Sequence, residues 1–470
     1  MLCFSARFSL FGALALLLTL PAMAADSVRP VVLKVDAVGE TAGLSPAADL
    51  LSVVVLHDDA TGADTLRLGF LSLGQDAPLS FNKALLGSGP VDLTVRDMTS
   101  PSAPANLARG VLAENHATYT LERAAEKAVP GALWMRDDDP DAVFMTLPQG
   151  ILDGRSAAAP LRLEIETAPR DGSPGQVLTA SYPPDKAYAA NCALVLHGNQ
   201  GLGYSDVFHG RSDDLEGSGF DEALQIHEST GVPGNFHLSG TLQTAAEWSA
   251  NTGDPTDFNA WLAAGAGAGW AGMLTSAYAQ NIMPFAANDM NDWAVSTESS
   301  MVSTRYAYTP RVAWVPERVW LNTSGYPSSG VADWIGDNFQ PHGVWGVILD
   351  DDVHLAGHDN HQIHFLDANG LRLIPRDRTF TGNIVGGNGQ AALDILTGLA
   401  SSGVGEFRIA VAAEDWEAVA EMGSWASATP NAKETYDWFV SKCSTESAWL
   451  STWKLSDALS NPNFNGDTFA

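Results

Sequence analysis

Five short, nearly continuous apolar runs in the C-terminal part constrain the fold most: Cys192 to Leu196, Asn235 to Leu238, Arg311 to Val315, Val344 to Leu349 and Phe407 to Ala412. Runs of this kind fit parallel strands buried on both faces. Helix-like stretches lie between them, such as Leu242 to Ala250, Asp257 to Ala264 and Gly330 to Asn338. The alternation predicts an α/β architecture, a barrel in particular. Chemically competent residues follow each run at once: His197-Gly198-Asn199-Gln200, Gly240-Thr241, Pro316-Glu317-Arg318, Asp350-Asp351-Asp352-Val353-His354 and Glu414-Asp415-Trp416-Glu417. Parallel α/β barrels carry their active sites at the C-terminal ends of the strands. Residues distant in sequence are therefore expected on one rim.

The preceding residues read differently. Short β-prone runs recur at Val31 to Val35, Leu51 to Leu56, Thr65 to Leu71, Val91 to Val95, Ala117 to Leu121 and Leu161 to Ile165, separated by Gly, Pro, Asp and Ser. Their spacing predicts an all-β, sandwich-like part over 25–185. Pro169 to Pro184 is rich in Gly, Ser and Pro and reads as a boundary, with the catalytic part over 186–470. The acidic run Asp137-Asp138-Asp139 reads as a solvated loop, with a structural calcium site as the alternative.

The first 24 residues have the make-up of an export signal. Arg7 supplies the positive charge, Leu10 to Leu20 is apolar but short for a bilayer span, and Ala22-Met23-Ala24 is a small-x-small cleavage site. A secreted or periplasmic protein is expected, with no membrane association after cleavage. An oxidising compartment would permit one disulfide between Cys192 and Cys443; two buried free thiols is the other reading. With 25 Lys and Arg against 55 Asp and Glu, the net charge is -30, which repels phosphates. Nucleic acid is thereby disfavoured as a partner. Of the 14 Trp residues only Trp134 precedes the first C-terminal run. Flat aromatic faces near carboxylates suit sugar chemistry, although most single Trp residues in such a chain are core.

Four segments resemble conserved regions of glycoside hydrolase family 57, in its amylopullulanase and α-amylase-like branch. Val195-Leu196-His197-Gly198-Asn199-Gln200 resembles the first and Phe236-His237-Leu238-Ser239-Gly240-Thr241-Leu242 the second. Trp314-Val315-Pro316-Glu317-Arg318-Val319-Trp320 is similar to the third, which carries the nucleophile, and Ala413-Glu414-Asp415-Trp416-Glu417-Ala418 to the fourth, which carries the acid/base. Leu349 to His354 is similar to an Asp-Asp-x-His element of that branch, and Trp449-Leu450-Ser451-Thr452-Trp453 to the weak fifth region. One departure stands out: Asn281 occupies the His of an expected Tyr-x-His-Pro-type sequence at Tyr278 to Pro284.

The resemblance implies an incomplete, seven-stranded (β/α) barrel with C-terminal helices, acting on α-1,4 glucan bonds, with α-1,6 as the alternative, with retention and without an organic cofactor. Glu317 would be the nucleophile and Asp415 the acid/base, with carboxyls about 5–5.5 Å apart. His197, Asn199 and His354 would bond the sugar before the scissile bond. Asp351 or Asp352 would bind hydroxyls or orient His354. Gln200, Gly240, Trp314, Arg318, Trp320, Trp416 and Trp453 complete the expected substrate-binding set, Arg318 also keeping Glu317 ionised. Rival readings are a 4-α-glucanotransferase, a non-catalytic glucan-binding protein, and a metal-dependent polysaccharide deacetylase built on Asp350-Asp351-Asp352 with His354 and His358. Oligomeric state is not readable from the sequence.

Overall fold

The computed structural model describes residues 28–36, 49–73, 90–115, 118–123, 133–199, 219–251, 257–320, 335–366, 369–420 and 432–469. The expected export signal, Gln200 and residues 330–334 lie outside them.

Ten strands form the N-terminal part: β1 (Val28–Val35), β2 (Leu50–Asp58), β3 (Ala63–Phe70), β4 (Val91–Asp97), β5 (Ala105–Asn115), β6 (Thr118–Arg123), β7 (Leu133–Arg136), β8 (Asp139–Thr146), β9 (Leu161–Pro169) and β10 (Gln176–Tyr182). They make two five-stranded antiparallel sheets, in the orders β1-β2-β3-β8-β7 and β10-β9-β4-β5-β6. The inward residues alternate as a period of two demands: Val91, Leu93 and Val95 on β4, Leu161, Leu163 and Ile165 on β9. They share one core with Val53, Val55, Leu66, Leu68 and Phe70 of the other sheet. Each such side chain contributes about 1.5–3 kcal/mol by leaving water. The stretch Pro169 to Pro184, expected as a boundary, contains β10. Its Gly-Ser-Pro residues make the turn, while Val177, Leu178, Thr179 and Ala180 pair with β9.

The C-terminal part is mixed α/β. Its strands are β11 (Ala190–Gly198), β12 (Gly234–Leu238), β13 (Ala271–Met273), β14 (Val312–Trp314), β15 (Gly346–Asp350), β16 (Ile363–Leu366), β17 (Arg372–Arg376), β18 (Ala410–Asp415), β19 (Leu450–Thr452) and β20 (Asn465–Phe469). One sheet runs β13-β12-β11-β18, with β19 also on β11, all parallel. The other runs β14-β15-β17-β16-β20; β14, β15 and β17 are parallel, and β16 is antiparallel to β17. Thr275 just past β13 bridges in parallel to Ala313 on β14. On the far side, the Asp377 amide just past β17 donates to the Val411 carbonyl of β18, the edge of the first sheet, at 2.9 Å. All nine residues of β11 are buried, as expected for a strand covered on both faces. Helices Phe220–Thr230, Gly240–Asn251, Phe258–Ala268, Gly389–Ser402 and Ala432–Thr445 pack on the first of these sheets and share a core with β11 and β12. Among the described residues no helix is long and apolar enough to cross a membrane.

The two parts meet through buried charge. Glu446, just past the helix Ala432–Thr445, accepts from Arg67 of β3 at 3.0 Å and from the Ser52 hydroxyl of β2 at 2.8 Å. Arg67 also pairs with Asp139 at 2.6 Å, and Lys442 with Asp141 at 2.6 Å. Gly69 leaves the room, since a Cβ there would sit 2.5 Å from the Ser52 hydroxyl and 2.8 Å from Glu446.

Candidate active site

Strand register aligns the first site residues. His197 on β11 faces His237 on β12 and Asp415 on β18. Parallel neighbours in register project to the same side of a sheet, so the three form one row. His197 and His237 touch through Nδ1 atoms 2.7 Å apart, their rings within 12° of parallel. A face of the His197 ring stacks on Trp314, with centroids 4.2 Å apart. His237 Nε2 lies 2.7 Å from Oε1 of Glu298, on the helix Asn288–Tyr306. All three links of that chain are buried.

A second row comes from the other sheet. Arg318 Nε donates to Asp350 Oδ1 at 3.0 Å, and its guanidinium lies 5.1 Å from the Trp314 ring centroid. Arg376, at the end of β17, is 3.5 Å from Asp350 and 2.5 Å from Glu414, and it donates to the Ala413 carbonyl. Glu414 in turn accepts from the Asp415 amide at 3.1 Å. A web of carboxylates and guanidinium groups thus runs from β14 through β15 and β17 to β18. Arg318, expected to keep Glu317 ionised, forms its ion pair with Asp350.

Glu317 is exposed and stands in the left-handed region, with φ 52° and ψ 13°; Arg318 follows with φ 52°. Two consecutive non-glycine residues there carry backbone strain of about 1–3 kcal/mol each, a cost that persists where surrounding structure imposes it. Here the buried Pro316 and the buried Val315 and Trp320 hold both ends of the turn. Asp415 is solvent-accessible but crowded by its surroundings. That crowding pushes its carboxyl up to about 6, the Glu414 charge and then Glu317 adding to the rise, while Arg318 and Arg376 oppose it. A carboxyl near 6 is protonated for part of the time in near-neutral solution, as a proton donor must be.

Other expected residues serve different ends. His354 is buried, and its Nε2 accepts from the Trp320 amide at 3.0 Å. Its proton therefore sits on Nδ1, which finds no acceptor among the described residues. Trp320 is fully buried against Phe339. Trp416 is also fully buried, stacked on Phe220 at 4.5 Å; alternation along the chain turns it away from Asp415 and into the helical core. Trp453 donates to Asn191 and its amide to the Cys192 carbonyl, which sets it at the opposite end of β11 from His197. Gly240 lies under Tyr278, whose ring is 2.1 Å from where a Cβ would stand. Asn199 is half-buried at the end of β11. Asp351 accepts from the Arg378 amide at 3.3 Å and from Asn360 at 3.5 Å; burial raises its pKa. Asp352 pairs with the Arg378 side chain.

Sequence reasoning missed Glu298 and Arg376. Glu298 lies in a helix of mostly polar residues and has no distinguishing neighbour. Arg376 ends a strand interrupted by Pro375, so no apolar run announced it. For metals, the ligand atoms of His358, His364 and Asp467 lie within 4.8 Å of one another, the one such group among the described residues. Both His364 nitrogens are already bonded, to the Asp359 carbonyl and the Asp467 amide. His354 and His358 do not converge with Asp350 to Asp352 as a deacetylase would require. In the acidic run, Asp138 pairs with Arg136 and Asp139 with Arg67. Cys192 and Cys443 are free, buried thiols.

No family model matches the chain, and no curated protein matches it. Solved structures do. A 4-alpha-glucanotransferase from Thermococcus litoralis is 14% identical with a TM-score of 0.47, over 60% of this chain and 42% of that one. A GH57-type branching enzyme from Pyrococcus horikoshii is 11% identical, TM-score 0.43, over 60% and 72%. A family 4 carbohydrate esterase from Streptomyces lividans is 8% identical, TM-score 0.29, over 57% and 91%. At such identities and TM-scores the likeness assigns no activity to this chain. Enzymes of glycoside hydrolase family 57, the family its motifs resemble, are among the solved structures to which it is similar.

Proposed function

We propose that this protein is an exported glycoside hydrolase that cleaves α-glucan with retention, Glu317 acting as nucleophile and Asp415 as acid/base. We read β11, β12, β13, β14, β15, β17 and β18 as an incomplete seven-stranded parallel barrel, and the two antiparallel sheets before it as a separate sandwich. The observation that carries the reading is the pairing of unlike carboxyls at these strand ends. Asp415 is pushed up to about 6 by crowding and by Glu414 and Glu317. Glu317 is thrust outward by a strained turn. One group holds a proton to give while the other is free to attack, the division of labour that glycosidic cleavage needs.

In the reaction Glu317 attacks the anomeric carbon as the Asp415 proton passes to the departing oxygen. A glycosyl-enzyme ester and a free sugar end result. Asp415, now a carboxylate, takes a proton from water, whose oxygen attacks the anomeric carbon and releases Glu317. Arg318 and Arg376 limit the rise of the Asp415 pKa. That lets Asp415 serve as a base in the second half.

Product analysis of the mature protein on maltooligosaccharides and pullulan tests this. Shortened sugars from wild type, with none from Glu317→Gln, are expected, and the products give the bond preference. Longer sugars beside shorter ones would make the enzyme a transferase. No turnover of either glucan would overturn the assignment.

A further inference from the structure

The hydrogen-bonded chain Glu298–His237–His197 has more built into it than a packed core needs. Its contacts are 2.7 Å each, and none of its three side chains is more than 3% exposed. The Nδ1–Nδ1 contact admits one hydrogen, so the tautomers of the two histidines are locked together. Suppose the Glu298–His237 pair carries a net negative charge. His237 then bears its hydrogen on Nε2 toward the carboxylate, His197 fills the contact with Nδ1–H, and a bare Nε2 is left on His197. With one more proton the pair is neutral. His237 Nδ1–H then fills the contact, and the hydrogen of His197 moves to Nε2. That second outcome is the same whether the extra proton rests on Glu298 or on His237.

We propose that Glu298 is a positioning residue: with His237 it retains one proton, and that proton fixes His197 as an N–H donor toward the bound sugar.

Three observations favour the neutral pair. Glu298 is fully buried, and its Oε2 has no partner among the described residues. A full negative charge spread over an unbonded, buried oxygen is costly, and a protonated or His⁺-paired carboxyl reduces that cost. Ser299, the residue after Glu298 on its helix, bonds through its hydroxyl to that of Thr275 at 3.1 Å and brings no charge. Of the ionisable groups on the packed elements, His197 senses Arg318, and Tyr306 of the helix Asn288–Tyr306 senses Glu298. Burial raises Glu298 and lowers His197, so the second histidine stays neutral. His197 Nε2 has no partner among the described residues and belongs to the row that contains Asp415. A sugar hydroxyl opposite it must accept there and spend its own hydrogen elsewhere, which restricts its orientation. The part played toward sugar rests on the reading above; the proton placement does not.

Nitrogen-15 NMR of histidine-labelled full-length protein at pH 7 reads the placement directly, with the His197 signals identified by their loss in His197→Asn. Hydrogen on Nε2 is expected; a bare Nε2 with hydrogen on Nδ1 overturns the proposal. Kinetics on maltooligosaccharides give the second readout. Glu298→Ala is expected to lower kcat/KM about tenfold, mostly through KM. Glu298→Gln is expected to recover most of that loss, because its amide donates to His237 as the protonated pair does. A Gln variant no better than Ala overturns the positioning role. Should either variant fail to fold, the wild-type spectrum still decides. An Nε2–H signal without glucan turnover leaves the proton placement standing and removes the hydrolase reading.

Discussion

At the residue scale, Asp415, the proposed acid/base, would tie electrostatics to rate. Its carboxyl is pushed up to about 6, so the proton-donating form fades as pH rises through that value. The alkaline limb of kcat/KM is expected near pH 6. Glu414→Gln removes a charge that raises Asp415 and frees Arg376, which lowers it; both changes act in the same direction. The limb should move to lower pH, and a pH profile that stays in place or moves upward would refute this account. The same group weighs on stability. A carboxyl whose pKa is raised in the folded state favours folding at low pH, and that contribution is lost as pH rises from the unfolded value toward the folded one. Asp415→Asn should therefore abolish turnover while raising Tm at pH 8, as calorimetry would record.

At the element scale, the buried ions between the sheets and the helix Ala432–Thr445 are the most exacting contact. Burial pushes the Glu446 carboxyl up, but Arg67 and Lys442 outweigh it and hold it below its ordinary value. Its contribution is present above the unfolded carboxyl pKa and lost as pH falls through the folded one. Glu446→Ala leaves Arg67 and Lys442 short of a counter-charge and is expected to cost about 3–5 kcal/mol in urea unfolding at pH 7. Cys192 on β11 and Cys443 on the same helix are both buried, and burial with the Cys192 contact pushes the Cys443 thiol well above its ordinary value. Thiol reagents should label them only after unfolding. These contacts mark where sequence reading stops. Cys192 to Leu196 was legible as a strand because every residue in it is apolar, and the turn carrying Glu317 because its flanks resemble a known motif. β13 and β17 went unread: three residues are too few for a period, and Pro375 breaks the other. Trp416 and Trp453 entered the expected sugar-binding set because they lie in segments similar to the fourth and fifth regions of that family. Which face an indole takes depends on strand alternation and on what packs behind it. Glu298 could not be found at all, since its meaning lies in a contact with His237, 61 positions away.

At the scale of the whole molecule, a net charge of -30 opposes compactness. Salt shortens the reach of that repulsion to about 10 Å at 0.1 M and about 3 Å at 1 M. Tm should therefore rise between those salt concentrations, whereas a fall would show that the ion pairs at the rim and between the parts outweigh the repulsion. The acidic surface also suits a neutral polymer that is held by stacking and hydroxyl contacts.

The Arg67–Glu446 contact has a practical side. Domains that meet through a wet, exchangeable surface can be cut apart and recombined, and gene fusions shuffle them freely. Here the helical part keeps a carboxylate and an ammonium group in its interior whose counter-charges belong to the first sheet. Deleting the sheets would open that interior to water with its charges unanswered. A truncation at residue 186 is thus a poor route to a minimal folded unit, and the modularity suggested by the order of elements along the chain ends at two buried side chains.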